Sequence, residues 1–98
     1  MKYTETRVRF GAAPDPSDLK PGDFWLMEEE DGSVVAVDFL CPCGCGAECY
    51  TPVVPKDQPR NRQTWEYEPG PTLTPSIQFT GGCRSHFNIT NGEAVMHQ

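Results

Sequence analysis

Metal-ligating side chains are concentrated at two places in this sequence. Three cysteines stand in the run CPCGCG, at Cys41, Cys43 and Cys45, and a Cys-x-x-His pair follows much later, at Cys83 and His86. Thiolate sulfur and imidazole nitrogen suit Zn²⁺, and structural zinc sites often take three cysteines and one histidine. The spacing therefore predicts one tetrahedral zinc site of the zinc-knuckle type, joining two distant parts of the chain.

The choice among these ligands stays open, because five candidates compete for four positions. Cys83 and His86 have the spacing of a common chelating pair. Either Cys41 and Cys45 or Cys43 and Cys45 can complete the set, and the sequence does not choose between them. Cys49 follows inside the strand-like run ECYTPVV, where we expect a small buried side chain rather than a ligand.

Size and charge limit what the protein can be. The chain has 98 residues, a length for which we expect one domain over residues 1–98. The formal charge is −6 and the basic residues are scattered, so we expect no nucleic-acid binding. The N-terminal run MKYTETRVRF lacks an apolar segment, and no stretch has 18 consecutive apolar residues. We therefore expect neither signal peptide nor membrane span, and a cytoplasmic protein.

Two runs of the sequence have the pattern of β-hairpins. In FWLMEEE-DG-SVVAVDF, Asp31-Gly32 is typical of a type I′ turn, and alternation places Phe24, Leu26, Val35, Val37 and Phe39 on one face. In HFNIT-NG-EAVMH, the turn falls at Asn91-Gly92. Pairing across it places Phe87, Ile89, Ala94 and Met96 on one face, as in a half-buried antiparallel ribbon.

Four further segments are predicted to be strands: Thr4–Phe10, Ala47–Val54, Thr64–Glu68 and Thr72–Phe79. Pro75 makes the last of them an edge strand or a bulged strand. Segments 11–22 and 52–63 are turn-rich connections, and no segment has the apolar period of a helix. These patterns predict an all-β fold, a small antiparallel sheet or sandwich built from hairpins. We expect Trp25 and Trp65 to pack in it and His97 to be a solvated tail residue.

Several short blocks resemble those of a known family: PGDFWL, CPCGCG, a tryptophan at Trp65, TLTPSI and GCRSHFNITNG. Together they resemble a family of small uncharacterised bacterial and phage proteins that share a domain of unknown function, and the resemblance covers residues 20 to 97. It implies a metal-binding protein. Some bacterial members are encoded beside ubiquitin-like conjugation components, which implies an adaptor role. Cys49 and the Pro-rich stretch 52–63 depart from the family pattern.

The sequence favours a binding module over an enzyme. Four protein ligands saturate a zinc ion and leave no position for a reactive water, so we expect a structural Cys3His site, no catalytic residue and an unidentified protein partner. One alternative is a Rieske-like electron-transfer protein with a [2Fe-2S] cluster, although Cys43 stands where such a centre has histidine. A second alternative is a zinc-dependent hydrolase or deaminase, with Glu48 or Glu93 carrying the proton.

Overall fold

Eight β-strands form the computed structural model, which describes residues 2–12, 14–55, 58–59, 61, 64–78 and 84–97. In chain order the strands are β1 (Thr4–Arg9), β2 (Asp23–Glu28), β3 (Val34–Leu40), β4 (Glu48–Pro55), β5 (Trp65–Glu68), β6 (Thr72–Gln78), β7 (His86–Thr90) and β8 (Glu93–His97). Two three-residue 3₁₀ turns occur at Phe10–Ala12 and Pro16–Asp18. The all-β prediction is confirmed. In these described segments, no helix has the length and apolar character needed to cross a bilayer.

The strands form one sheet in which spatial order follows chain order from β1 to β8. Five of the seven pairings are antiparallel, as expected from the hairpins. The β1–β2 and β4–β5 pairings are parallel, which the sequence did not predict. Two consecutive strands can be parallel only if the chain between them returns to the end of the sheet where the first strand began. The turn-rich connections between β1 and β2 and between β4 and β5 are long enough to do so.

The sheet curls so that its first and last strands approach each other. Lys2 forms an isolated bridge with Glu93, and the Tyr3 amide donates to the Gly92 carbonyl at 2.7 Å. Inside the curl lies the main core, to which all eight strands or their immediate flanks contribute. Its buried members are Tyr3, Phe24, Leu26, Val37, Phe39, Cys41, Cys49, Val53, Tyr67, Leu73, Ile77, Phe87 and Ile89, with Ala94 packed against them.

The first hairpin buries both of its faces. Phe24 and Phe39 stack in the main core with ring centroids 5.0 Å apart. On the opposite face a smaller apolar cluster forms beneath the β1–β2 connection, and it comprises Leu19, Trp25, Met27 and Ala36, with Val8 and Leu40 at its margin. The predicted division of this hairpin into two faces is therefore confirmed along most of its length. At its turn end, Val34 rather than Val35 packs against the main core.

The two hairpin turns differ in type. Asn91 and Gly92 both have positive φ, 49° and 80°, which is the predicted type I′ geometry. In the other turn only Gly32 has positive φ, 87°, and its amide donates to the Glu29 carbonyl at 2.9 Å. This is a longer loop with one left-handed glycine, so the type I′ prediction for Asp31-Gly32 is wrong. A register shift between Met27 and Glu28 accompanies the longer loop.

Strand β6 is bulged, as Pro75 predicted. Its pairing with β7 joins Leu73 to Ile89 and then Ile77 to Phe87, so β6 advances four residues while β7 advances two. Pro75 lies in this irregular stretch, where the missing backbone N–H interrupts no regular ladder bond. The strand is nevertheless internal to the sheet, because β5 pairs with its other side.

Candidate functional site

The CPCGCG run forms the tight connection between β3 and β4. Its ends are joined by the Cys41 amide, which donates to the Ala47 carbonyl at 2.9 Å, and the Gly44 amide donates back to the Cys41 carbonyl at 3.2 Å. Gly44 and Gly46 have φ values of 90° and 82°, which side chains with a Cβ rarely adopt. The two glycines therefore let the chain turn twice within seven residues.

This turn brings three thiols together. The Sγ atoms of Cys41, Cys43 and Cys45 all lie within 4.8 Å of one another, and those of Cys41 and Cys43 are 3.4 Å apart. Ligands bound at about 2.3 Å around a tetrahedral zinc ion lie about 3.8 Å from each other, so the cluster fits one ion. Cys41 is buried in the main core and the other two thiols are exposed. The cysteine cluster (Cys41, Cys43 and Cys45) can therefore hold a metal ion.

A serine from the far end of the chain contacts the cysteine cluster. Ser85 is 7% exposed, and its Oγ lies 3.6 Å from Cys41 Sγ. Hydrogen bonds from the Ser85 hydroxyl and from the neighbouring thiols lower the pKa of Cys43 to about 6. A thiol with a lowered pKa is available as the thiolate, which is the form that binds metals. The segment before β7 thus meets the cluster through Ser85.

The remaining predicted ligands are Cys83 and His86. Cys83 lies outside the described residues. His86 does not belong to the described group that can share an ion, which consists of three cysteines. Its role as a ligand stays a prediction, and the structure gives it another neighbour. Cys49 is buried in β4, 3% exposed, as expected of a small core side chain.

A serine side chain contacts the His86 imidazole. Ser76 Oγ lies 2.9 Å from His86 Nε2, which is hydrogen-bonding distance, and both residues are partly buried. A serine hydroxyl bonded to an imidazole is the basic unit of nucleophilic catalysis by serine, because the imidazole can accept the hydroxyl proton during attack. Among the described residues no carboxylate bonds to His86, so the arrangement is a dyad rather than a Ser-His-Asp triad.

The dyad lies on the outer face of the sheet. Ile77 and Phe87 are paired across β6 and β7 and point into the core, so the adjacent residues Ser76 and His86 point outward. His86 pairs with Gln78, which makes Ser76 its diagonal neighbour. The Trp65 indole on β5 donates to the Ser76 carbonyl at 3.4 Å. The bulge and this hydrogen bond together fix the position of Ser76.

Two more polar side chains adjoin the dyad on this face. His97 is directly opposite His86 in the β7–β8 register, and their ring centroids are 4.9 Å apart with the planes tilted by 53°. His97 Nε2 is also hydrogen-bonded to Asn88 Oδ1. The expected solvent exposure of His97 is confirmed, but the residue lies in a strand beside a functional candidate rather than in a free tail.

Ser76 is a candidate that the sequence did not indicate. A single serine in TLTPSIQ has no distinguishing local signal, and its proximity to His86 depends on the register of two strands across a bulge. His86 was recognised as chemically important, but its spacing from Cys83 indicated metal binding. The signal that could have led to Ser76 is the block TLTPSI, which contains this serine and forms part of the family resemblance.

A family model described as "Bacterial ubiquitination-like system serine protease (BubE)" matches residues 12–97. The matched range includes the cysteine cluster, Ser76 and the β7–β8 hairpin with both histidines. Neither the curated proteins nor the solved structures contain a significant match to the chain.

Proposed function

The chain belongs to the BubE family of bacterial ubiquitination-like system serine proteases, and on that premise we propose that Ser76 is its nucleophile and His86 its general base. The observation that carries the assignment is the 2.9 Å separation of Ser76 Oγ and His86 Nε2. A serine protease needs a serine hydroxyl within hydrogen-bonding reach of a base, and this pair meets that requirement.

The proposed reaction proceeds by acyl transfer. Ser76 Oγ attacks the carbonyl carbon of the scissile peptide bond while His86 Nε2 accepts the hydroxyl proton. The C–N bond then breaks, and His86 returns the proton to the leaving amine, so that an ester to Ser76 remains. A water molecule, deprotonated by His86, hydrolyses the ester and regenerates the serine hydroxyl. The exposed side of the sheet on which the dyad lies gives an extended polypeptide access to Ser76.

The family description also supports a class of partner. The description assigns the family to a ubiquitination-like system, and we propose a protein component of such a system as the substrate. This proposal replaces the unidentified partner expected from the sequence with one of defined chemistry, a polypeptide bound at the dyad. The adaptor role without catalysis stays an untested prediction, and the serine assignment distinguishes the two.

Covalent labelling tests the assignment. A biotinylated fluorophosphonate, which phosphonylates activated serines, should label the wild-type chain at Ser76, with the adduct located by peptide mass spectrometry. Ser76→Ala should reduce labelling to background. His86→Ala should slow it about 10²- to 10⁴-fold, the usual contribution of a general base.

Ser33→Ala is the matched control, because Ser33 is an exposed serine in the β2–β3 turn. It should label like the wild type. Circular dichroism should show the same thermal melt for all of these chains. Labelling that survives in a folded Ser76→Ala chain, or an adduct on another serine, would overturn the assignment.

We further propose that the metal of the cysteine cluster is a structural Zn²⁺. The mutual proximity of the three thiols supports a single ion, because ligands of the two irons of a [2Fe-2S] cluster are divided between two metal atoms. Cys83 is our candidate for the fourth ligand. It precedes Ser85 by two residues, and Ser85 Oγ contacts Cys41 Sγ.

The positions of Glu48 and Glu93 do not favour a zinc hydrolase. Glu48 begins β4 and is hydrogen-bonded to Asp38, and Glu93 begins β8. Neither carboxylate belongs to the group around the three thiols. An ion bound to the three thiols would hold the loop to its neighbours, and the dyad would supply the chemistry.

Metal analysis of the purified chain tests the zinc proposal. We expect one equivalent of zinc and a protein without visible absorption bands. Cys43→Ser and Cys45→Ser should lower the zinc content, whereas Cys49→Ser, the buried control, should retain it. A brown protein containing iron would contradict zinc, and full zinc occupancy in Cys43→Ser would contradict the ligand set.

A further inference from the structure

Among the described residues no carboxylate orients the base of the dyad, yet the geometry of the dyad specifies where an orienting group must act. If His86 Nε2 accepts the Ser76 proton, the neutral imidazole must carry its own proton on Nδ1. In Ser-His-Asp enzymes an acid bonds to that second nitrogen, holds the ring in the right tautomer and stabilises the imidazolium that forms. In the part of the chain that the structure describes, a second histidine lies next to the His86 ring.

His97 lies where it can orient the His86 ring. Its ring contacts that of His86, with centroids 4.9 Å apart, because the two residues are direct partners across β7 and β8. The 53° tilt between the planes means that the two rings are not stacked face to face. Catalytic hydrogen bonds often tighten only when substrate is bound, so a ring contact in the free chain is compatible with this role.

Asn88 determines which nitrogen of His97 is available. Asn88 Oδ1 is an acceptor only, so the His97 Nε2 bonded to it carries a proton. In a neutral His97, Nδ1 then has the free lone pair. Ser76, His86, His97 and Asn88 are successive neighbours on the outer face of the sheet, and this protonation would let each polar group match the next in donor and acceptor character.

We propose that His97, held by Asn88, is the positioning residue of the dyad and occupies the place that an acid takes in a Ser-His-Asp triad. His97 keeps His86 in the tautomer that accepts the Ser76 proton and, during attack, faces the imidazolium with a lone pair. It transfers no proton to or from substrate. The proposal rests on the proposed serine protease function and adds to it the second half of the catalytic arrangement.

Inactivation kinetics with the same fluorophosphonate test this proposal. His97→Ala should lower the maximal rate of Ser76 labelling about 10- to 100-fold, since a misplaced base costs rate, while the probe concentration for half-maximal rate stays unchanged. His97→Gln, whose amide can still accept a hydrogen bond, should recover part of the rate. Asn88→Ala should have a smaller effect, and the double variant should be no slower than His97→Ala alone.

Thr90→Ala is the control, because Thr90 is exposed on the same face of β7 as His86 and Asn88. It should label at the wild-type rate. A second readout that needs no activity is the long-range ¹H–¹⁵N NMR spectrum of the imidazole rings. It should report a single Nδ1–H tautomer of His86 in the wild type and a mixture in His97→Ala.

The outcomes separate this inference from the proposed function. Labelling of a folded Ser76→Ala chain at the wild-type rate would overturn the function itself. Loss of labelling in Ser76→Ala together with wild-type kinetics and an unchanged His86 tautomer in His97→Ala would overturn the positioning role alone. If His97→Ala fails to fold, Asn88→Ala decides: wild-type kinetics in that variant would overturn the proposal.

Discussion

Asp38 carries a carboxyl group into the interior of the protein. The residue is 1% exposed in the middle of β3, between Trp25 and Tyr50 on the neighbouring strands, and its Oδ1 has no hydrogen-bond partner among the described residues. Burial, with a further contribution from the hydrogen bond and charge of Glu48, raises the pKa of Asp38 to about 7. The fold therefore binds a proton here more tightly than the unfolded chain does.

The raised pKa predicts a stability that falls as the pH increases. The unfolded pKa is about 3.9, so the contribution of protonated Asp38 is complete below pH 4 and is lost as the pH rises toward 7. The urea midpoint should accordingly be lower at pH 8 than at pH 5, and Asp38→Asn should remove most of that difference. Asp18→Asn, at an exposed site, is the control. A wild-type midpoint that rises over this range would contradict the assignment.

The β7–β8 hairpin is the element on which most of the site depends. It carries both histidines and Asn88, and its turn is tied to two other parts of the chain. The Gly92 amide donates to the Pro71 carbonyl at 2.8 Å, and the Gly92 carbonyl accepts from Tyr3 at 2.7 Å. A methyl group on Gly92 would lie 2.9 Å from the Tyr3 carbonyl oxygen. The turn thus fixes the hairpin against the start of the chain.

Replacing this glycine should be more damaging than replacing its counterpart in the first hairpin. Gly32→Ala introduces only the cost of a left-handed conformation, about 1–2 kcal/mol, because no atom lies within 4 Å of the added Cβ. Gly92→Ala has the same cost plus overpacking, about 1–3 kcal/mol more. Chemical denaturation of the two variants measures the difference. Equal losses of stability would show that the close approach at Gly92 is not restrictive.

At the scale of the whole molecule, the cysteine cluster and the dyad are connected through two consecutive residues. Ser85 is directed to Cys41, and His86, the next residue, is directed to Ser76. Cys41 itself is part of the main core, so the cluster links the loop between β3 and β4 to the start of β7. Anything that loosens the cluster should therefore shift the general base.

Metal removal should consequently impair both stability and labelling. A strong zinc chelator should lower the thermal midpoint, with a loss of several kcal/mol in the free energy of unfolding, and it should slow fluorophosphonate labelling of Ser76. Added zinc should restore both, and Cys49→Ser should respond like the wild type. An unchanged melt and labelling rate in a chain shown to be metal-free would mean that the cluster does not support the site.

The sequence alone determined what depends on short stretches of chain. Alternating apolar residues predicted the strands within a few residues of their ends, Pro75 predicted the bulge, and Asn91-Gly92 predicted its turn. The three cysteines could be grouped in advance, because a run of five residues cannot separate them far. Each of these properties follows from local backbone geometry and side-chain periodicity.

Only the tertiary structure decided which distant side chains meet. The two parallel pairings depend on how the connections cross the sheet, and the contact of Ser76 with His86 depends on a bulge that advances β6 by four residues against two. Counting outward from a turn cannot reveal either, because strand partners and register are selected by packing in the shared core. His97 acquires a candidate role for the same reason: the hairpin register places it opposite His86.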